Sequence, residues 1–336
     1  MSRRRSRVLA ASAALLALGL AACSSTAETP AASGTSSTSD GSASSMPAEP
    51  VKVTIGALTI SETAPLWGAV KAGVFADHGL DVTIQPIQGG AQAMPALING
   101  EVDFTVGQPF GVMRARDQGL EVSIISNYAE SLREGPDINS VVTGAGTGIT
   151  SAKDLSGKTV AVNSLGAAGD LTIKAAVDAD GGDSSTIKFV EVAFPDVPAQ
   201  IEAGNIDAAW VPEPFVSMVV GAGGARVVDP YQATIPGLPT LVVQATQKTI
   251  DEKPELVQAM REALADAFTW SEANESEMRQ SLVDNMSLPE DAAANLPLPH
   301  FTATIDRTTL QALADLAVKY GYFKTAPDLN TIIVEG

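Results

Sequence analysis

The chain has 336 residues, enough for about two domains with sizeable cores. It is 45% hydrophobic and 5% aromatic, an ordinary globular composition, and its formal charge is −18. That charge argues against a nucleic-acid partner, because phosphate binding needs clustered Lys and Arg, and here Arg3, Arg4, Arg5 and Arg7 sit at the extreme start instead.

Taken in order, the basic start MSRRRSR leads into the apolar run VLAASAALLALGLAA, too short and too Ala-rich for a comfortable membrane span. It ends in Leu20-Ala21-Ala22-Cys23, which resembles a bacterial lipobox. The expectation is a signal peptide over 1–22 and lipidation of Cys23. A diacylated cysteine supplies the two chains that stable anchoring needs. Cys23 is the one cysteine in the chain, so no disulfide can form within it. Residues 23–50 are mostly Ser, Thr, Ala, Gly and Pro and read as a disordered tether with a reach of about 25–30 Å.

The body begins near Val51. VKVTIGAL alternates as a strand does, PLWGAVKAGVF has helical spacing, and LDVTIQPI is a second strand. QGGAQAMPALING reads as a helix closed by Gly100, VDFTVG as a third strand, and Pro109 as a helix start. LEVSIISNY is a fourth strand. The βαβαβαβ order predicts a parallel, doubly wound α/β sheet. From SAKDLSGKTVAVN the pattern restarts. LINGEVDFTVGQPF (Leu97–Phe110) returns as IEAGNIDAAWVPEPF (Ile201–Phe215), with Gly100 matching Gly204 and Asp103 matching Asp207. A repeat of about a hundred residues is too long for a solenoid and predicts two similar lobes. Both Asp residues fall at the start of their strands, which predicts a structural role. LPTLVVQAT is one more strand. A long helix is expected over 251–274, with Leu256, Met260, Leu264 and Phe268 on one face and Glu272, Glu275 and Glu277 on a solvated one. LPEDAAANLPLPH reads as a Pro-broken loop, and IDRTTLQALADLAVKYGYF as a final amphipathic helix.

GVFADHGLDVTIQPIQGGAQAMPALINGEVDF (Gly73–Phe104), AKDLSGKTVAVN (Ala152–Asn163), IEAGNIDAAWVPEPF and EKPELV (Glu252–Val257) follow one another as in a known family. Together they closely resemble the nitrate/sulfonate/taurine-type substrate-binding proteins of bacterial ABC importers, a group that includes binders of the thiamine pyrimidine precursor. The resemblance implies a two-lobed periplasmic-binding-protein type II fold, with two doubly wound sheets joined by hinge strands. Lobe one would be 51–140 plus 240–336, and lobe two 141–239. It also implies a monomer that captures a small polar organic ligand, sulfonate/taurine-like or aminopyrimidine-like, and delivers it to a permease driven by an ATPase. Nitrate or a small aromatic acid is the alternative ligand, and a sensor signalling through a membrane receptor the alternative role.

In open α/β sheets ligands sit beyond the carboxyl ends of the strands, where helices begin. That rule selects Ser61 and Thr63, Gly89, Gly90 and Gln92, Gln108, Tyr128, Asn163, Ser164, Gly166 and Asp170, Asp196, Trp210 and Glu213. None of these loops contains Lys or Arg, whereas they hold Glu62, Asp170, Asp196 and Glu213. The nearest guanidinium candidates are Arg114, Arg116 and Arg133, of which Arg114 and Arg116 fall further along their helix. A neutral, zwitterionic or amine-bearing ligand is therefore favoured over nitrate. There is no nucleophile elbow, P-loop, HExxH or cysteine cluster, so neither catalysis nor a cofactor is expected. His78 and His300 are isolated, are expected to be exposed, and suggest no metal site.

Overall fold

The computed structural model describes residues 49–334. The expected signal peptide, the lipidation site Cys23 and nearly all of the expected tether lie outside the described residues. The first sheet begins with β1 (Val51–Leu58), followed by α1 (Ala64–Ala72), α2 (Val74–Asp77) and β2 (Leu80–Ile87). Next come α3 (Gly90–Ile98), β3 (Phe104–Gly107), α4 (Pro109–Asp117) and β4 (Val122–Glu130). The chain then builds a second sheet from β5 (Asn139–Thr143), β6 (Thr159–Val162), α5 (Ala168–Ala179) and β7 (Lys188–Glu191). It continues through α6 (Val197–Glu202), β8 (Ala208–Pro212), α7 (Phe215–Gly221), β9 (Ala225–Val228) and α8 (Pro230–Thr234). The return strand β10 (Pro239–Thr246) re-enters the first sheet. After it come α9 (Gln247–Glu252), α10 (Pro254–Ala273), α11 (Glu275–Met286), α12 (Glu290–Asn295), β11 (His300–Phe301), α13 (Arg307–Lys319) and α14 (Leu329–Ile332).

The strand orders are β11-β4-β10-β3-β1-β2 and β7-β6-β8-β5-β9. Placed side by side they show the repeat: β2-β1-β3 of one sheet corresponds to β7-β6-β8 of the other, all parallel. Neither sheet is wholly parallel, which corrects the sequence reading. β10 runs antiparallel to both β3 and β4, and β5 antiparallel to both β8 and β9. Each sheet therefore takes, beside its third repeated strand, the strand by which the chain arrives from the other sheet. The repeated aspartates do one job twice. Asp103 accepts the Thr54 amide at 2.9 Å, and Asp207 accepts the Thr159 amide at 2.7 Å. Each carboxylate thus ties the base of its third strand to its first. Gly100 and Gly204 end the preceding helices at φ 74° and 70°, a left-handed turn that glycine takes without Cβ strain.

The core follows the apolar runs. All nine residues of β4 are buried, as are seven of the eight in β10, which is why these strands read as continuous apolar segments. The predicted stripe Leu256, Met260, Leu264 and Phe268 is buried on α10, and Glu272, Glu275 and Glu277 are exposed. The expected single helix over 251–274 is instead two. It breaks at Lys253, because the residue before Pro254 cannot comfortably be helical. The stretch expected to be a loop contains α12, set on the α11 side against Met278 and Leu282. His78 is largely covered rather than exposed and lies 2.8 Å from Asp266, whereas His300 is exposed beside Glu130.

Gly68 lets α1 lie against α10 and α11. A Cβ there would sit 2.8 Å from Trp270 Cζ3 and 3.3 Å from the Met278 backbone. Gly68→Ala should therefore lower stability by about 1–3 kcal/mol, and Trp270→Leu in the same chain should recover part of the loss, as measured by urea unfolding.

Candidate functional site

The parallel strands of both sheets direct their carboxyl ends at one space. Leu58 ends β1, Ile87 ends β2, Asn163 follows β6, Glu191 ends β7 and Pro212 ends β8, and all line a cavity of about 590 Å³. The loops after these strands complete it, so the architecture itself positions the site.

On the second-lobe side the wall is aromatic. Trp210 packs between Phe194 and Tyr231, with ring centroids 5.7 and 5.3 Å away. Gly169 at the start of α5 makes room for the indole, since a Cβ there would lie 3.1 Å from Trp210 Cε3. Phe110, Ile60 and Met94 face it from the first lobe. A chain of polar side chains runs along the junction. Thr105 Oγ1 donates to Gln244 Oε1 (3.1 Å), Gln244 Nε2 to the Gln108 carbonyl (3.1 Å), and Gln108 Nε2 to Tyr231 Oη (2.8 Å). The last of these bonds joins the lobes across the cavity.

Two further links span the opening. Arg114 Nη1 donates to the carbonyls of Leu165 (3.1 Å) and Gly166 (2.8 Å). Gly166 has φ 67°, and a Cβ on it would lie 2.5 Å from Arg114 Nη1, so the contact needs glycine on both counts. Tyr322, just beyond α13, donates its hydroxyl to Asp170 at 2.8 Å. Asp170 also accepts the Gly166 and Ala167 amides (3.0 and 2.7 Å), so the N-terminus of α5 is capped by the chain's own carboxylate.

Among the buried polar groups of the cavity, Glu62 is 2% exposed and accepts the Thr240 hydroxyl at 2.6 Å. Burial pushes its carboxyl from an ordinary 4.5 up to about 7, opposed by Thr240 and Asn139 and reinforced by Asp137. Burial likewise raises Asp137 and Glu213. Asp137 is held by the Ser131 hydroxyl (2.6 Å) and by the Leu132 and Ile138 amides. Arg226 bridges Asp229 at 2.9 Å and Glu213 at 3.9 Å. The junction between the lobes thus concentrates buried acids. Burial pushes the Tyr231 phenol up as well, reinforced by Glu62, Asp137 and Asp170. The indole nitrogen of Trp210 and the amide nitrogen of Asn139, both on cavity-lining residues, are buried without a hydrogen-bond partner.

Of the residues expected from the sequence, Gly89, Gly90, Gln108, Asn163, Ser164, Gly166 and Trp210 line this cavity. The other seven do not. Ser61 donates its amide to the Glu213 carbonyl, and Thr63 donates its hydroxyl to the carbonyls of Leu58 and Ile60. Gln92 accepts the Gln88 amide, and Asp170 serves as the α5 cap. Asp196 is exposed on a short 3-10 turn. Glu213 is buried against Ser217 and Arg226. Tyr128 is fully buried inside β4 rather than at its end. It accepts the Leu66 amide and packs on Phe268 and Phe301. Arg114, discounted because it falls a turn into α4, reaches the cavity rim. Arg116 is tied to Val122 and Ser123, and Arg133 to Pro236. Sequence reasoning missed Asn139, Tyr231, Thr240 and Gln244, which lie on or beside the strands crossing between lobes. Glu62 stood out only as an acid in a lining loop. Among the described residues, no group of three or more His, Cys, Asp or Glu is placed to hold a metal, and no helix is long and apolar enough to cross a membrane.

Residues 60–277 match the family model described as NMT1/THI5 like. The chain belongs to the NMT1/THI5-like family. No curated protein sequence matches it. Several solved structures share its fold. The alkanesulfonate-binding protein SsuA from Xanthomonas axonopodis pv. citri, bound to MOPS, superposes with a TM-score of 0.71 at 16% identity, covering 86% of this chain and 100% of that one. A ligand-binding component of an ABC-type import system from Staphylococcus aureus gives 0.71 at 14% identity, over 84% and 96% of the two chains. The periplasmic nitrate-binding protein NrtA from Synechocystis PCC 6803 gives 0.70 at 16% identity, over 85% and 86%. This NMT1/THI5-like chain therefore has the two-lobed periplasmic-binding-protein type II fold, with mixed sheets.

The Glu62 shift has a consequence for stability. The folded chain retains a proton at Glu62 between about pH 4.5 and 7, where the unfolded chain has released it. This contribution is fully present below the unfolded value and is lost as pH rises through the folded one. Glu62→Gln, free of that loss, should raise the melting temperature near pH ~8 by several degrees and flatten the decline between pH ~5 and ~8. The upper bound is roughly 3 kcal/mol, read by differential scanning calorimetry.

Proposed function

We propose that this chain is the extracytoplasmic solute-binding component of an ABC importer, not an enzyme. It captures a small organic ligand between its lobes and presents the closed form to a membrane permease. The observation that carries the reading is the cavity of about 590 Å³ enclosed by strand ends of both sheets and bridged by Gln108–Tyr231 and Arg114–Gly166. A ligand touching both walls favours the closed arrangement through contacts that an open one lacks. The family match and the fold shared with import-system proteins support the same reading. The lipobox-like Leu20-Ala21-Ala22-Cys23 supports tethering of the body to the membrane surface.

A thermal-shift panel of taurine, alkanesulfonates, nitrate, aminopyrimidines, small aromatic acids and small amines tests the ligand side. A cognate compound at a hundredfold excess over Kd should stabilise the fold by about 2.7 kcal/mol and compact it in small-angle scattering. No response to any compound in either measurement would sink the reading. With the compound that binds, Arg114→Ala should weaken affinity roughly three- to tenfold, chiefly by faster release, because its bonds exist only with the lobes together. For the anchor, Cys23→Ala should move the protein from the membrane fraction to the soluble one, and retention of the unlipidated protein on the membrane would refute it.

A further inference from the structure

We propose that the cavity selects an organic cation, an amine or amidine on an apolar or aromatic body, with the charged nitrogen set against Glu62. The proposal rests on the solute-binding reading above and names the substrate class of that same site.

Glu62 lines the cavity yet is 2% exposed, and the hydrogen bond from Thr240 satisfies a single oxygen. Among the residues lining the cavity, Arg114 is the one base, and its guanidinium is turned to the Leu165 and Gly166 carbonyls at the rim. No cation of the chain therefore reaches Glu62 from inside the cavity. Behind the wall the balance is also negative: Asp137, Glu213 and Asp229 are gathered around Arg226. A buried carboxylate without a counter-charge is costly, and a ligand that brings the charge removes the cost on binding.

Just before α5 the Gly166 and Ala167 amides are held by Asp170. Sulfonate or nitrate would also have to approach Glu62 without a basic partner. The aromatic wall of Trp210, Phe194 and Tyr231 suits the remainder of a cation, since ring faces attract positive charge and bury apolar area. The orphaned indole nitrogen of Trp210 offers a donor to an acceptor elsewhere on the same molecule.

The full chain should be titrated by calorimetry near pH ~8 with a matched series on one ring: benzamidine, phenethylamine, benzamide, benzoate and benzenesulfonate. The cations should bind at least about tenfold more tightly than the anions. Glu62→Gln should remove that preference. Glu213→Gln, an equally buried acid outside the cavity, should keep it. Glu62 faces Thr240, Asn139 and the Asp137 carboxylate, with the phenols of Tyr128 and Tyr231 nearby. Ionisation of Glu62 near pH 7 should make cation affinity rise between about pH 6 and 8 in the wild type and stay flat in Glu62→Gln. Tighter binding of benzenesulfonate than of phenethylamine, no binding of either cation, or a wild-type preference surviving in Glu62→Gln would overturn the proposal. If taurine or nitrate from the wider panel then stabilises and compacts the protein, the solute-binding reading stands and the cation class alone falls. If nothing does, both fall.

Discussion

The carboxylate of Glu62, closed into the junction of two sheets, is the constraint on which the rest of this molecule turns. A carboxyl group loses strong hydration when buried, and here the Thr240 hydroxyl, with Asn139 beside it, replaces part of it. Its burial lowers stability once the carboxyl ionises.

The fold supplies that position by an exchange of strands. Each lobe repeats the same three parallel strands, and each then takes in the strand that has just crossed from its partner. The two crossings, before β5 and before β10, put Asn139 and Thr240 side by side with the loop after β1. The residues that surround Glu62 therefore come from three distant parts of the chain, and all lie where the chain crosses between the sheets.

Polarity is divided accordingly. The hinge side holds acids and amides, the second lobe offers rings, and the rim carries the one base that lines the cavity, committed to the opposing lobe's carbonyls. Asp170 shows how thoroughly local donors are used. One carboxylate caps α5, stiffens the loop at Gly166 and receives Tyr322 from the other lobe.

Local chemistry made much of this legible in the sequence alone. Periodicity located the strands and helices, the hundred-residue echo of LINGEVDFTVGQPF announced two lobes, and Asp103 and Asp207 could be read as structural from their place at the strand base. The rule that ligands gather at strand carboxyl ends found half of the expected residues on the cavity wall, because that rule depends only on strand direction. What the tertiary structure alone decided is everything carried by a crossing. β10 and β5 run against their neighbours because they arrive from the other sheet, and no local pattern encodes the direction of an apolar run. For the same reason Tyr128 lies inside a strand rather than at its end, and Asn139, Tyr231, Thr240 and Gln244 reach the cavity unannounced. Glu62 was visible as an acid in a loop. Its burial, and hence its perturbed carboxyl group, depends on strands roughly 80 and 180 residues away closing over it, which is a property of long-range packing and not of the sequence around it.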